Sequence, residues 1–221
     1  MTGFIRNELI RPTISSLRGG ARGWGWYHRA LKKIETKSQE KSIKYDAAVP
    51  SPRLPRPRAY LDISIGESEL RRIVIELATD VVPKTAKNFI NLCTDSPLGS
   101  YKRTNIHNVT KGVYVVAGDI LNGNGTGGHA ALVKGDRFFP DENFALQFSE
   151  RGVVGMANGG VNRNASQFFV TLKPLPHLNG RNVAFGKIIE GLDNLKALES
   201  VYCIRGRPLS KITIGDCGLL E

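Results

Sequence analysis

Residues 151–172 read RGVVGMANGGVNRNASQFFVTL, and this stretch decides the fold class. Two short apolar runs, RGVVGMA and SQFFVTL, flank a segment rich in glycine and asparagine. This arrangement is typical of two β-strands joined by a turn. Both runs are short and rich in valine or phenylalanine, which favours strands over helices. The stretch therefore predicts neighbouring strands in a β-rich domain.

Short β-strands are also predicted on both sides of this stretch. YLDISI and RRIVIEL alternate apolar and polar residues around the turn GESE, which predicts an antiparallel hairpin. Further strands are predicted at GVYVVAGD, VAFGKII and KITIGDC. From Tyr60 onward, only VPKTAKNFINLC and GLDNLKALES are typical of helices, and the first places Ala86, Phe89, Ile90 and Cys93 on one face. Many short strands with only two helices predict a mainly β domain, a closed antiparallel barrel with helices at its ends.

The positive charge of the chain is concentrated near its N-terminus. The formal net charge of the 221 residues is +11, and residues 1–59, with 13 Lys and Arg against 4 Asp and Glu, carry +9 of it. Residues 60–221 are nearly neutral and, at about 160 residues, are long enough to bury an independent core. We therefore expect a basic, proline-rich extension over residues 1–59 and one folded domain over residues 60–221.

The extension has the composition of a mitochondrial presequence, because it is rich in arginine and hydroxyl residues and lacks the apolar core of a secretory signal. We expect a mitochondrial location, in the matrix or on a matrix-facing surface, with a cytoplasmic or nuclear location as the alternative. Trp24, Trp26 and Tyr27 lie close together, as in segments that anchor partners, so we assign them to partner docking. The run VPSPRLPRPR predicts a polyproline II spacer, and a PxxP ligand is the alternative.

Several kinds of chemistry find no support in the sequence. The three cysteines are widely spaced and the four histidines lack acidic or thiol neighbours at ligand spacing, so we expect no metal site. No apolar run of 18 or more residues occurs, so no conventional transmembrane helix is expected. The turn GNGTGG fits GxGxxG, but its continuation does not predict the helix that would bind a phosphate. We interpret its glycines as loop residues with positive φ, and we expect no cofactor.

Several blocks of the sequence occur in the order that is known from one family. They are VPKTAKNF, AGD with NGTGG, FPDENF, GMANGG, NASQFFVTL, LNGRNVAFGKIIEG and KITIGDCGLLE. In these blocks the chain resembles the cyclophilin-type peptidyl-prolyl cis-trans isomerases. The resemblance implies an eight-stranded barrel capped by two helices, with a proline-binding pocket on its outer face and no cofactor.

The resemblance also implies what the pocket has lost. In active members an arginine is thought to donate to the prolyl nitrogen, which weakens amide resonance as the C–N bond twists. Asn108 stands at this arginine position, Val116 at the position of a glutamine that holds the peptide, and Val113 at that of a phenylalanine. His177 replaces a tryptophan, and Asn182 replaces a histidine. The pocket therefore lacks its cation, one hydrogen-bonding partner and part of its apolar floor.

We expect a vestigial pocket that takes, at most, a proline-containing peptide. Its predicted residues are His107, Asn108, Val113, Tyr114, Val116, Ala157, Asn158, Phe169, His177, Leu178 and Asn182. Loss of one charge-assisted donor typically slows a reaction by about 100- to 1000-fold, so we expect catalytic impairment and assign no catalytic residue. An active isomerase that assists folding is the alternative. Another cation within reach, such as Arg103 or Arg163, would favour that alternative.

These expectations together favour an accessory subunit of a large assembly, docked through residues 1–59. A respiratory complex and a mitochondrial ribosome both fit as hosts, and the sequence does not choose between them. A charge of +9 interleaved with aromatic residues also suits nucleic acid or anionic lipid, so a nucleic-acid-associated module is a second alternative.

Overall fold

The computed structural model describes residues 55–68, 71–94, 97, 99–132 and 135–220. Within these ranges the chain forms ten strands, two α-helices and one short 3-10 helix. In chain order they are β1 (Arg58–Ile65), β2 (Arg71–Leu77), α1 (Pro83–Cys93), β3 (Asn108–Thr110), β4 (Tyr114–Ala117), β5 (Val153–Asn158), β6 (Asn164–Thr171), the 3-10 helix (Pro176–Leu178), β7 (Ala184–Glu190), α2 (Asn194–Ser200), β8 (Cys203–Ile204), β9 (Arg207–Pro208) and β10 (Ile212–Leu220).

Eight of these strands form one antiparallel sheet in the order β10, β1, β2, β7, β5, β6, β4, β3, and β8 and β9 form a separate hairpin. The segment before β3 joins the two edges of the sheet. There the amides of Arg103 and Ile106 donate to the carbonyls of Ile214 and Ile212 at 2.7 and 2.9 Å. The sheet therefore curls onto itself, and the predicted mainly β, antiparallel fold with two helices is confirmed.

Buried and partly exposed side chains alternate along the strands, so one face of the sheet forms the main core and the other forms the outer surface. In β1, Ala59, Leu61 and Ile63 are buried while the residues between them are partly exposed. This is the period of two that a strand imposes on its side chains. Phe89 of α1 reaches the same core, with its ring centroid 5.2 Å from that of Phe168 on β6. The main core therefore lies between the inner face of the sheet and α1.

Helix α1 begins at the proline that the sequence placed in its first turn. Its predicted apolar face is buried apart from Ile90, which is partly buried. The carboxylate of Glu142 accepts hydrogen bonds from the amides of Lys84 and Thr85 at 3.0 and 2.8 Å. These are donors that a helix N-terminus leaves without an internal partner. A loop acid thus caps the helix.

The contacts of the sheet include residues before residue 60. Strand β1 starts at Arg58, and the carbonyl of Pro57 accepts a hydrogen bond from the amide of Leu77 at 3.0 Å. The guanidinium of Arg56 donates to Asp80 at 2.8 Å and to Glu76 at 3.2 Å. The last residues that we assigned to the extension are therefore attached to the domain.

The predicted docking residues Trp24, Trp26 and Tyr27 lie outside the described residues, as does the rest of the chain up to residue 54. In the part of the chain that the structure describes, no helix is long and apolar enough to cross a membrane. No group of three His, Cys, Asp or Glu side chains among those residues is placed to hold a metal ion.

Candidate peptide-binding site

Residues that stand side by side on β3, β4 and β6 form one row on the outer face of the sheet. Asn108 is paired with Val116, and Val116 is paired with Phe169. Neighbouring strands lie about 4.8 Å apart, so the Cα atoms of Asn108 and Phe169 are about 10 Å apart. The adjacent residues Val109 and Val115 belong to the main core, which places the row on the opposite face.

A second apolar region, which we name the outer-face cluster, surrounds Phe169. Its buried members are Phe148, Val153, Phe169, Leu175 and Ala184. Partly buried apolar side chains pack against them, namely Val113, Tyr114, Val116, Leu146, Ala157 and Leu178. The structure thus brings together six of the eleven residues predicted for the pocket. Five of these six remain partly exposed, so apolar surface is available to a ligand.

Three aromatic rings and one glycine shape the outer-face cluster. The centroid of Phe169 lies 5.1 Å from that of Phe148 and 6.1 Å from that of Tyr114. Gly155 on β5 is paired with Phe169, and a methyl group built on it would lie 2.6 Å from ring atoms of Phe148. Only a glycine leaves room for the ring at this position, which is a common reason for glycine within a strand.

A short, neutral side chain occupies the position that the resemblance assigns to the catalytic arginine. The Oδ1 atom of Asn108 accepts a hydrogen bond from the hydroxyl of Thr110 at 3.1 Å. Its Nδ2 atom faces the tip of the β8–β9 hairpin, where a methyl group built on Gly206 would lie 2.6 Å away. Gly206 has φ +80°, a backbone conformation that favours glycine. Asn108 is therefore held between its own strand and the hairpin.

The hairpin brings basic residues close to Asn108. Arg205 and Arg207 flank Gly206, and both side chains are exposed. Arg207 also lines a cavity of about 280 Å³ together with His107. No local pattern in the sequence indicates that these two arginines lie near Asn108.

His107, the residue before Asn108, is partly buried. Burial lowers the pKa of its imidazole, and the negative charge of Asp119 opposes this effect only in part. Gly125 lies against the ring, since a methyl group there would be 2.9 Å from Cδ2 of His107. Burial therefore favours the neutral form of the His107 imidazole.

Two predicted asparagines hold the end of β5 against the loop after the 3-10 helix. Nδ2 of Asn182 donates to the carbonyl of Met156 at 2.9 Å, and Nδ2 of Asn158 donates to the carbonyl of Arg181 at 3.1 Å. His177, on the 3-10 helix, is exposed and is not part of the outer-face cluster. These three side chains therefore support or border the apolar surface but do not form it.

The glycine-rich turn after β4 is organised by Asp119. The buried carboxylate accepts five amide hydrogen bonds of 2.8 to 3.2 Å, from Leu121, Asn122, Asn124, Gly125 and Gly127. Burial raises the pKa of this carboxyl, but the amides together hold it well below its usual range. The glycines of the GxGxxG pattern, Gly123, Gly125 and Gly128, have positive φ as predicted.

Sequence reasoning missed three features around the site. Asp119 directly precedes the glycine-rich turn, and an acid at this position is a recognisable signal for such a loop. The β8–β9 hairpin has two residues in each strand, too few to show any alternation. Arg137 and Arg163 are far apart in the sequence, and no local pattern indicates that both contact the ring of Phe138.

A comparison with protein families agrees with this geometry. The family described as cyclophilin type peptidyl-prolyl cis-trans isomerase/CLD matches residues 60–219, which is more than half of the chain. The matched range contains all eleven residues predicted for the pocket and almost the whole eight-stranded sheet. With this match and this fold, the chain belongs to the cyclophilin-type peptidyl-prolyl cis-trans isomerase family.

Proposed function

We propose that the domain binds proline-containing peptide segments through the outer-face cluster but isomerises them poorly. The observation that carries this proposal is the contrast within one row of residues. At one position the row holds the ring of Phe169 on an apolar surface, and at another it holds the neutral Asn108 where the family has an arginine. Binding and catalysis need different parts of the site, so one can persist without the other.

Binding of a proline ring depends mainly on apolar contact. Tyr114, Val116, Ala157 and Leu178 are partly exposed around the buried Phe169, so a ligand ring can cover them. Each Å² of apolar surface removed from water contributes about 25 cal/mol. None of this contact requires the missing arginine, and the apolar Val116 adds to it where the family has a glutamine.

Acceleration of rotation about the amide bond before proline depends on a charged hydrogen-bond donor. The barrier to rotation about an amide bond is about 18–20 kcal/mol because resonance gives the C–N bond partial double-bond character. A donor aimed at the developing lone pair lowers this barrier, and removing one such donor typically costs about 100- to 1000-fold in rate. The side chain of Asn108 carries no charge and is shorter than an arginine, and its Oδ1 atom accepts a hydrogen bond from the hydroxyl of Thr110.

The test separates binding from rate on the same sample. The full chain, labelled with ¹⁵N, is titrated with a short Ala-Pro peptide, and exchange between the cis and trans peptide is measured by NMR. We expect saturable shifts of the amides of Phe169 and Ala157 with little acceleration of exchange. Saturable binding together with a rate within about tenfold of an ordinary cyclophilin would contradict impairment, and no binding would contradict the peptide site.

A second candidate function, an active isomerase, is favoured by the hairpin. Gly206 contacts Asn108, and the neighbouring Arg205 and Arg207 are basic and exposed. If one of them reaches a docked proline, it replaces the family arginine from a different strand. In that case the double variant Arg205→Gln/Arg207→Gln abolishes exchange without changing peptide affinity. If the wild-type chain is already inactive, the hairpin has no such role.

We further propose that the protein is an accessory subunit of a large mitochondrial assembly, a respiratory complex or the mitochondrial ribosome, and docks through residues 1–59. The support is compositional: a net charge of +9 with Trp24, Trp26 and Tyr27 close together. Native electrophoresis of mitochondrial extracts tests this. We expect migration with a large complex, and release when the three aromatic residues are replaced by alanine. Migration as a free monomer, or association only with RNA or anionic vesicles in a salt series, would contradict it.

A further inference from the structure

A cavity beside the outer-face cluster combines a polar wall with two arginines. Its volume is about 330 Å³, and it shares Ala157 with the cluster. One wall is the glycine-rich turn, which Gln167 fixes to β6 by donating from Nε2 to the carbonyls of Gly125 and Gly127 at 3.0 and 2.7 Å. The cavity is therefore adjacent to the proposed peptide site, and its wall is held by hydrogen bonds.

The opposite part of the cavity is strongly basic. The Cζ atoms of Arg137 and Arg163 lie 5.1 and 4.8 Å from the centroid of one ring, that of Phe138. The two Cζ atoms are thus at most 9.9 Å apart, the sum of these two distances. No Asp or Glu lines the cavity, and neither arginine forms an ion pair within the described part of the chain. Two like charges are held near each other without a carboxylate between them.

The contact with Phe138 orders the two guanidinium groups. Their N–H groups remain available as hydrogen-bond donors. A cation over an aromatic face is attracted by the ring without a conventional hydrogen bond. Each guanidinium therefore keeps N–H groups for a planar anion, and a carboxylate is the side chain that fits such a fork. An anion at this position would also relieve the repulsion between Arg137 and Arg163.

We infer that the cavity formed by Arg137, Phe138 and Arg163 receives the carboxylate of an Asp or Glu in the same peptide whose proline lies on the outer-face cluster. This inference rests on the proposed peptide-binding function and names its substrate class, acidic proline-containing segments. Ala157 contributes to both surfaces, so the acid lies within a few residues of the proline. An extended peptide advances about 3.3 Å per residue, so only one or two positions place the acid correctly.

The test uses the full chain and peptides that contain one Ala-Pro bond. Glu is placed at each of the positions within about four residues of the proline, and each peptide has a partner with Gln at the same position. Dissociation constants come from NMR shifts of outer-face cluster amides. At the best position we expect Glu to bind about fivefold tighter than Gln in low salt, with the difference shrinking at high ionic strength.

Variants distinguish recognition of the carboxylate from a general loss of peptide affinity. The double variant Arg137→Gln/Arg163→Gln is expected to lose the preference for Glu while binding the Gln peptides as before. The matched control Arg71→Gln/Lys84→Gln removes two exposed charges elsewhere and is expected to keep the preference. Equal affinity for Glu and Gln peptides at every position, or equal loss of both in the Arg137 and Arg163 variant, overturns the inference. If no peptide binds at all, the proposed function itself fails, which is a different result.

Discussion

Replacement of Asp119 by asparagine is expected to destabilise the domain by about 2 kcal/mol. In the structure, Oδ2 accepts the amides of Asn124, Gly125 and Gly127, and Oδ1 accepts those of Leu121 and Asn122. An asparagine keeps one oxygen, and its best orientation preserves the three bonds to Oδ2. Its NH₂ group then faces the other two donors, which lose their acceptor.

Each buried donor that loses its partner costs about 1–3 kcal/mol. Leu121 and Asn122 are exposed, so water satisfies part of the loss and the lower end of this range applies. For a domain of this size, about 2 kcal/mol corresponds to a fall in the melting temperature of about 4–8 °C. Because Asp119 organises the turn that borders both described cavities, peptide affinity is expected to fall with it.

The assay is urea unfolding of the wild-type chain, of Asp119→Asn and of the control Asp136→Asn, which alters an exposed carboxyl. The control is expected to change the unfolding free energy by less than about 0.5 kcal/mol. The folded-state pKa of Asp119 is lowered from its ordinary value of 3.8, so its contribution is complete above about pH 4 and is lost as the pH falls. At pH 3 the difference between wild type and Asp119→Asn should be about 1 kcal/mol smaller than at pH 6. Equal unfolding midpoints at pH 6 would refute the reasoning.

Two further predictions concern packing and the start of the domain. Gly155→Ala places a methyl group 2.6 Å from ring atoms of Phe148, so we expect a loss of about 1–3 kcal/mol in urea unfolding and weaker peptide binding. The control Gly159→Ala, with no atom within 4 Å of the new methyl group, should keep the wild-type midpoint, and an equal loss in both would contradict the packing argument. A chain that starts at Arg58 keeps all of β1 but lacks the bonds of Arg56 and Pro57, and it should be about 1–2 kcal/mol less stable than one that starts at Pro55; equal midpoints would show that the two residues do not stabilise the domain.

The sequence predicted the fold because the elements that build it carry strong local patterns. The alternation in YLDISI and RRIVIEL and the apolar face of VPKTAKNFINLC correspond to β1, β2 and α1. Six of the residues that the resemblance assigns to the pocket lie together in the outer-face cluster, and the register of β4 and β6 brings Val116 next to Phe169. Strand β3 was not predicted because three residues show no period.

The remaining parts of the site depend on contacts between distant residues, which no local pattern contains. The contact of Gly206 with Asn108 is made by a hairpin of irregular sequence. The approach of Arg137 and Arg163 to one ring follows from the path of two separate loops. The contacts of Arg56 were not predicted because Pro55 and Pro57 suggest a spacer, whereas Arg56 between them is fixed by acids on β2 and beyond it.

The most direct test of the central claim is the rate of cis/trans exchange of a bound Ala-Pro peptide, measured by NMR with the wild-type chain and with Asn108→Arg/Val116→Gln. We expect the exchange rate with the wild type to be at least about 100-fold lower than with an ordinary cyclophilin. The rate with the double variant is expected to be about tenfold or more higher than with the wild type. A wild-type rate within about tenfold of an ordinary cyclophilin would contradict the claim that Asn108 leaves the pocket without its catalytic cation.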